Sequence, residues 1–94
     1  MDSANSLIMN NYAYFLAIEG RDLEKAENMS RQTIKKEKSN AIYLDTYAWI
    51  LYKMEKTRKA KCYIRKAMKY GGGSDKEVKE HYDTILNIKS EQEN

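Results

Sequence analysis

Apolar side chains recur three or four residues apart along most of the chain, the spacing of one face of an α-helix. Leu7, Ile8, Tyr12, Phe15 and Leu16 mark a first helix, which Gly20 interrupts. Asp22, a residue type favoured at N-caps, precedes a second helix with Leu23, Ala26, Met29, Thr33 and Ile34 on one face. Lys35 to Lys38 end it in charge, and Ser39-Asn40 punctuates. Asn40 is placed to cap a third helix carrying Leu44, Tyr47, Ala48, Ile50 and Leu51, and Thr57 a fourth carrying Ala60, Tyr63, Ile64, Ala67 and Met68. Gly71-Gly72-Gly73 stops the fourth. Ser74 followed three residues later by Glu77 reads as a capping box for a fifth helix with Val78, Tyr82, Ile85 and Leu86. The polar tail from Ser90 is expected to fray.

The pattern repeats. Tyr12-Ala13 and Leu16 return as Tyr47-Ala48 and Leu51, a step of 35, and Ala26 and Thr33 return as Ala60 and Ala67, a step of 34. The difference predicts one extra residue in the turn Gly20-Arg21-Asp22. Tyr82 and Leu86, another 35 residues beyond Tyr47 and Leu51, start a third, truncated copy. Two helical hairpins and one unpaired helix follow from this count. The small residues have a physical role: Ala13 with Ala26, and Ala48 with Ala60, let the helices of each hairpin approach to about 8–10 Å between axes.

Composition narrows the class. The chain has 94 residues, enough for one small domain, with 41% apolar and 33% charged residues. That is too apolar for a disordered tail and too polar for a membrane protein. No apolar run approaches the roughly 18–20 residues that span a bilayer, and Met1-Asp2-Ser3-Ala4-Asn5 shows no signal peptide. The absence of proline suits an all-α domain. Cys62 is the only cysteine, so neither an internal disulfide nor a cysteine-built zinc site is available. The net charge of +3 is uneven, because residues 53–70 hold eight basic side chains against Glu55 alone.

Little in the chain points to catalysis, a cofactor or a metal. His81, the only histidine, stands near Glu77 and Asp83 and reads as a surface residue of a charged helix; a reactive or metal site needs a converging set. Gly71-Gly72-Gly73-Ser74 lacks the Lys-Ser/Thr of a phosphate loop and follows a helix rather than a strand. Asn28-Met29-Ser30 matches a glycosylation triplet but falls inside a predicted helix. Arg58, Lys61, Arg65 and Lys69 share one face of the fourth helix, with Lys59 and Lys66 beside them. That stripe reads first as a solvated outer face and second as an electrostatic surface for nucleic acid or anionic membrane through residues 56–69. Aromatic residues for base stacking are absent from it.

The positions Leu44, Tyr47, Ala48, Leu51, Ala60, Ile64 and Ala67 follow closely the signature of the tetratricopeptide repeat (TPR) family, which the chain resembles. Met9, Tyr12, Ala13, Leu16, Gly20 and Ala26 follow it in a first copy, where Ser30 and Thr33 fit less well, and only Tyr82 and Leu86 do in the last helix. The pattern departs where no Pro stands near the repeat ends and where Glu55 replaces the usual turn glycine. The resemblance, over about residues 6–89, implies a right-handed α-α superhelix in one domain of residues 1–94. Repeat one would span about 6–40, repeat two about 41–74, a capping helix about 75–89, and a tail 90–94. It also looks like the closing repeats of bacterial multi-repeat proteins, some of them exported lipoproteins, leaving cytoplasm and periplasm both open.

The family's usual role implies a non-catalytic module that binds a protein or peptide segment in a concave groove of first helices. Carried over position by position, that groove is lined by Leu7, Asn10, Tyr14, Ala17 and Ile18, then Ile42, Asp45, Trp49, Tyr52 and Lys53, then Glu80, Thr84 and Asn87. Trp49, Tyr52 and Tyr14 are the expected aromatic contacts, off the core faces; the other reading has them packing the inner wall. Asn10, Tyr14, Asp45 and Trp49 stand where one subfamily places a cationic clamp for C-terminal carboxylates, so no such clamp is expected. Ile8 and Phe15, equivalent to Tyr43 and Ile50, would form an uncapped apolar edge covered by further repeats or by a second copy of the chain.

Overall fold

The computed structural model describes residues 2–87, and the described residues are all-helical. Five α-helices run in order: α1 Asp2–Glu19, α2 Leu23–Lys36, α3 Ala41–Lys53, α4 Thr57–Lys69 and α5 Lys76–Ile85, with a 3-10 turn Gly72–Ser74 before the last. The expected residues 88–89 of the last helix and the tail 90–94 lie outside the described residues. α1 packs on α2 and α3 on α4; α3 also lies against α1, α2 and α5. The third helix is therefore central, and eight of its residues, Tyr43 to Ala48 with Ile50 and Leu51, are buried.

The apolar spacing sets this packing. Leu44, Tyr47, Ala48 and Leu51 meet Ala60, Ile64 and Ala67 of α4 and Val78 and Ile85 of α5 in one core cluster. Ala13, Leu16, Ala17 and Ala26 close around Ile50 in a second. Ala13, Ala26, Ala48 and Ala60 are all fully buried, as close approach of the paired helices requires. The acid Glu27 of α2 is also buried: it accepts from Arg31 at 3.0 Å and from the Tyr47 hydroxyl at 3.2 Å, and pairs with Lys56 at 3.5 Å. Burial alone would raise its pKa, but the Arg31 bond, Lys56 and the Tyr47 bond together hold it below the usual glutamate value.

The two hairpin turns have the same construction. After α1, the Arg21 N–H donates to the Leu16 carbonyl and Gly20 to Ala17; after α3, Lys56 donates to Leu51 and Glu55 to Tyr52. Both are Schellman endings, which put one residue in the left-handed region. Gly20 takes it at φ 70°, and Glu55, 35 residues on, takes it at φ 66°. Asp22 is the extra residue of the first turn. It lies at φ 47° and its side chain caps nothing, contrary to the sequence expectation. Thr57 is likewise the first helical residue of α4 rather than its cap, because Lys56 occupies that place. Asn40 does cap α3, accepting from the Tyr43 N–H at 3.0 Å. At α5 the cap is Asp75, which accepts from Glu77 and Val78 at 2.9 and 3.1 Å; Ser74 belongs to the preceding 3-10 turn, so the capping box does not form.

A glutamate at φ 66° carries backbone strain of about 1–2 kcal/mol that glycine does not. Glycine's extra freedom in the unfolded chain takes back about 0.5–1 kcal/mol. Glu55→Gly should therefore stabilise the fold by about 0.5 kcal/mol, read as a higher urea midpoint at an unchanged slope. A lower midpoint would show that the Glu55 side chain contributes something the geometry does not reveal.

Candidate functional site

Asp45 and Trp49 lie on one face of α3, one turn apart, and α5 brings His81 onto them. His81 Nδ1 sits 2.8 and 3.0 Å from the two Asp45 oxygens, and both side chains are buried. Its ring stacks on Trp49 at 4.0 Å between centroids and 18° between planes. Trp49 stacks in turn near Tyr52, at 5.1 Å and 25°, and Lys53 Nζ lies 5.6 Å from the centre of the indole. From α1, the Tyr14 hydroxyl donates to Glu77 and lies 3.3 Å from His81 Nε2. Three helices that are distant in sequence thus converge on one imidazole.

The electrostatics follow from burial. Desolvation pushes the Asp45 carboxyl above its usual range; the hydrogen bond and charge of His81 oppose that, while Glu77 and Asp75 add to it. Tyr14 is also pushed up, first by burial and then by its bond to Glu77. The Asp45 carboxylate, both His81 ring nitrogens and the Tyr14 hydroxyl each have a polar partner within this group, which is the condition for keeping such groups inside a protein.

Several sequence expectations change here. His81 is a buried interhelical partner, not a surface residue of a charged helix. The signal was present: His81 shares the α5 face of Val78 and Ile85, at the helical spacings i, i+3 and i+7. Asp45 and Asn10 are each 4% exposed, so neither displays its polar group to a ligand. Asn10 Oδ1 has no partner among the described residues. Trp49 is half-buried and packs against both core clusters, so it is not off the core. Tyr14 and Tyr52 are half-buried, and Lys53, Glu80, Thr84 and Asn87 are exposed. Trp49, Tyr52 and Lys53 do come together, Tyr14 joins them only through His81, and among the described residues Asn10 makes no hydrogen bond to any of them.

The second surface is α1. Leu7, Ile8, Tyr12, Phe15 and Ile18 are large, apolar and exposed on this one helix. Ile8, Tyr12 and Phe15 are 65%, 41% and 47% exposed, whereas their equivalents Tyr43, Tyr47 and Ile50 are 6%, 4% and 0% exposed. The same row reaches α5 as Val78 and Ile85, 1% and 2% exposed. In α3 the row is covered by the hairpin before it: Ile50 sits among Ala13, Leu16, Ala17 and Ala26, and the Tyr47 hydroxyl donates to Glu27. In α1, among the described residues, no hairpin covers it; only Lys25 Nζ reaches over the Tyr12 ring, 5.4 Å from its centre.

Among the described residues no three His, Cys, Asp or Glu side chains are grouped to hold a metal ion, and no helix is long and apolar enough to cross a membrane. Comparison with models of known protein families, with curated proteins and with solved structures finds no match.

Proposed function

We propose that this chain is a non-catalytic protein–protein interaction module with a TPR-like architecture, two helical hairpins followed by a capping helix. The 35-residue spacing of equivalent positions, the paired alanines at both crossings and the two matching hairpin turns support that arrangement. The observation that carries the function is the row Ile8, Tyr12, Phe15. These side chains have the character of a hairpin-docking face, and in the next repeat the same face is fully used for that purpose. The partner is accordingly another helical hairpin of similar shape, from further repeats or from a second copy. The groove beside α3 offers a smaller, mixed contact for a peptide segment, with Lys53 and the outer edges of Trp49 and Tyr52 on its rim.

Ile8→Lys combined with Phe15→Glu tests this. Sedimentation equilibrium should show concentration-dependent association of the unmutated chain and a monomeric double variant of unchanged helicity. A strictly monomeric unmutated chain eliminates self-association and assigns the edge to a hairpin from elsewhere. A double variant that no longer folds would mean that the row is internal to this domain, and the proposal would fail.

A further inference from the structure

On another face of α3, away from the Asp45–His81 pair, α2 and α4 stand apart: no Cα atoms of the two helices come within 8 Å. Between them lies an open cleft of about 610 Å³, floored by Ile34, Leu44 and Tyr47. Its walls carry five cations, Arg31, Lys35 and Lys38 from the end of α2 and the turn after it, and Lys59 and Lys66 from α4. None of the lining residues is acidic. Arg31 is bound to Glu27, but Lys35, Lys38 and Lys59 have no ion-pair partner among the described residues. Like charges gathered without counter-charge raise the local potential, and a concave shape focuses it.

The cleft also contains what the basic stripe lacked in sequence. Tyr63 stands edge-on to Tyr47 at 4.8 Å, and Lys66 Nζ lies 4.9 Å from the Tyr63 ring centre. Tyr70, at the end of α4, is 42% exposed, with Lys69 Nζ 5.6 Å from its ring centre. Tyrosines at 63 and 70 are one apolar repeat apart on α4, so they line one wall in succession. Cations that track phosphates beside successive aromatic faces are the elements of single-strand recognition. A lipid surface fits less well, since these rings are set inside a concavity rather than raised to enter a bilayer. An acidic peptide would use the cations but leave the ring faces without a planar partner.

We infer that the α2–α4 cleft binds a short single-stranded nucleic acid, with phosphates on Lys35, Lys38, Lys59 and Lys66 and bases against Tyr63 and Tyr70. This is independent of the docking edge on α1. It also revises the reading of the stripe: the binding residues are those of α4 that face α2, Lys59 and Lys66, rather than the outward row Arg58, Lys61, Arg65 and Lys69.

Fluorescence anisotropy with labelled oligo-dU and oligo-rU of roughly 12 nucleotides, a length within known single-strand site sizes, reads this directly. Binding should weaken with salt, with a log–log slope of about −2.8 if the four lysines meet phosphates. Lys38→Glu with Lys66→Glu should weaken it by at least about tenfold, and by much more than the matched reversal Arg58→Glu with Arg65→Glu on the outer row. Tyr70→Ala, at an exposed ring outside both core clusters, should cost about fivefold or more for oligonucleotides and leave inorganic polyphosphate binding unchanged. A preference for oligo-rU would place the 2′-hydroxyl in the contact and identify RNA; equal binding would identify single strands of either kind. The inference is overturned by no binding at about 50 mM salt, by equal loss from the inner and outer reversals, by equal binding of polyglutamate, or by a silent Tyr70→Ala.

Discussion

Asp45→Ala should remove about 2–3 kcal/mol of stability, because stripping the acceptor from a buried hydrogen-bonded pair leaves the His81 Nδ1 without a partner. The total for a domain of this size is about 5–15 kcal/mol, so the variant would be marginal. The geometry gives the reason for so large an effect. Asp45 contacts His81 with both oxygens, at 2.8 and 3.0 Å, and the two side chains lie on helices 36 residues apart in the chain. His81 in turn supports the Trp49 stack and lies 3.3 Å from the Tyr14 hydroxyl, which ties α1 to α5 together with its bond to Glu77. Losing Asp45 therefore loosens α5 as well as exposing a polar ring to an apolar surrounding. Asp45→Asn keeps an oxygen in place and should cost about 1 kcal/mol, near the net value of one hydrogen bond. Urea unfolding of the two variants checks the pair: a loss below about 1 kcal/mol for alanine would show that water replaces the aspartate without penalty.

Gly72→Ala should cost about 2 kcal/mol, in the range of overpacking a close contact. A Cβ there would lie 2.7 Å from the Ala67 carbonyl oxygen and 2.8 Å from Val78 Cγ1. The first of these is backbone in the last turns of α4 and cannot rotate away. The clash falls where the 3-10 turn carries the chain from α4 into α5, so relief means shifting α5 off Val78 and Ile85. The neighbouring Gly73→Ala provides the comparison, since its Cβ would meet only the flexible end of Met68 at 3.5 Å. That variant should be neutral or gain about 0.5 kcal/mol from a less free unfolded chain. Equal melting temperatures for the two would mean that the turn yields, and that α5 is held less tightly than the geometry suggests.

The sequence by itself determined the helices, their order and their repeat. Apolar spacing fixes which side of each helix must be covered, and a spacing of 35 between Tyr12, Tyr47 and Tyr82 leaves few ways to cover all of them. The exposed row on α1 was legible for the same reason: equivalents that are buried in one repeat and uncovered in another can be found by counting. Helix caps were less legible. Asn40 capped as expected, but Asp22 and Thr57 did not and Asp75 took the place given to Ser74, because hairpin geometry selects the cap after the chain type has allowed several.

Only the tertiary structure decided the chemistry of the interior and the cleft. His81 reads as exposed when its neighbours along the helix are charged, and becomes buried once α5 turns that face toward Asp45. Its partner is 36 residues away, beyond any local spacing. Tyr63 reads as part of the apolar face of α4, and it lines one cleft with Tyr70, Lys35 and Lys38 only because α3 holds α2 and α4 apart. Local pattern records what each helix must hide; which polar groups face one another across a gap depends on how far apart the packed helices stand.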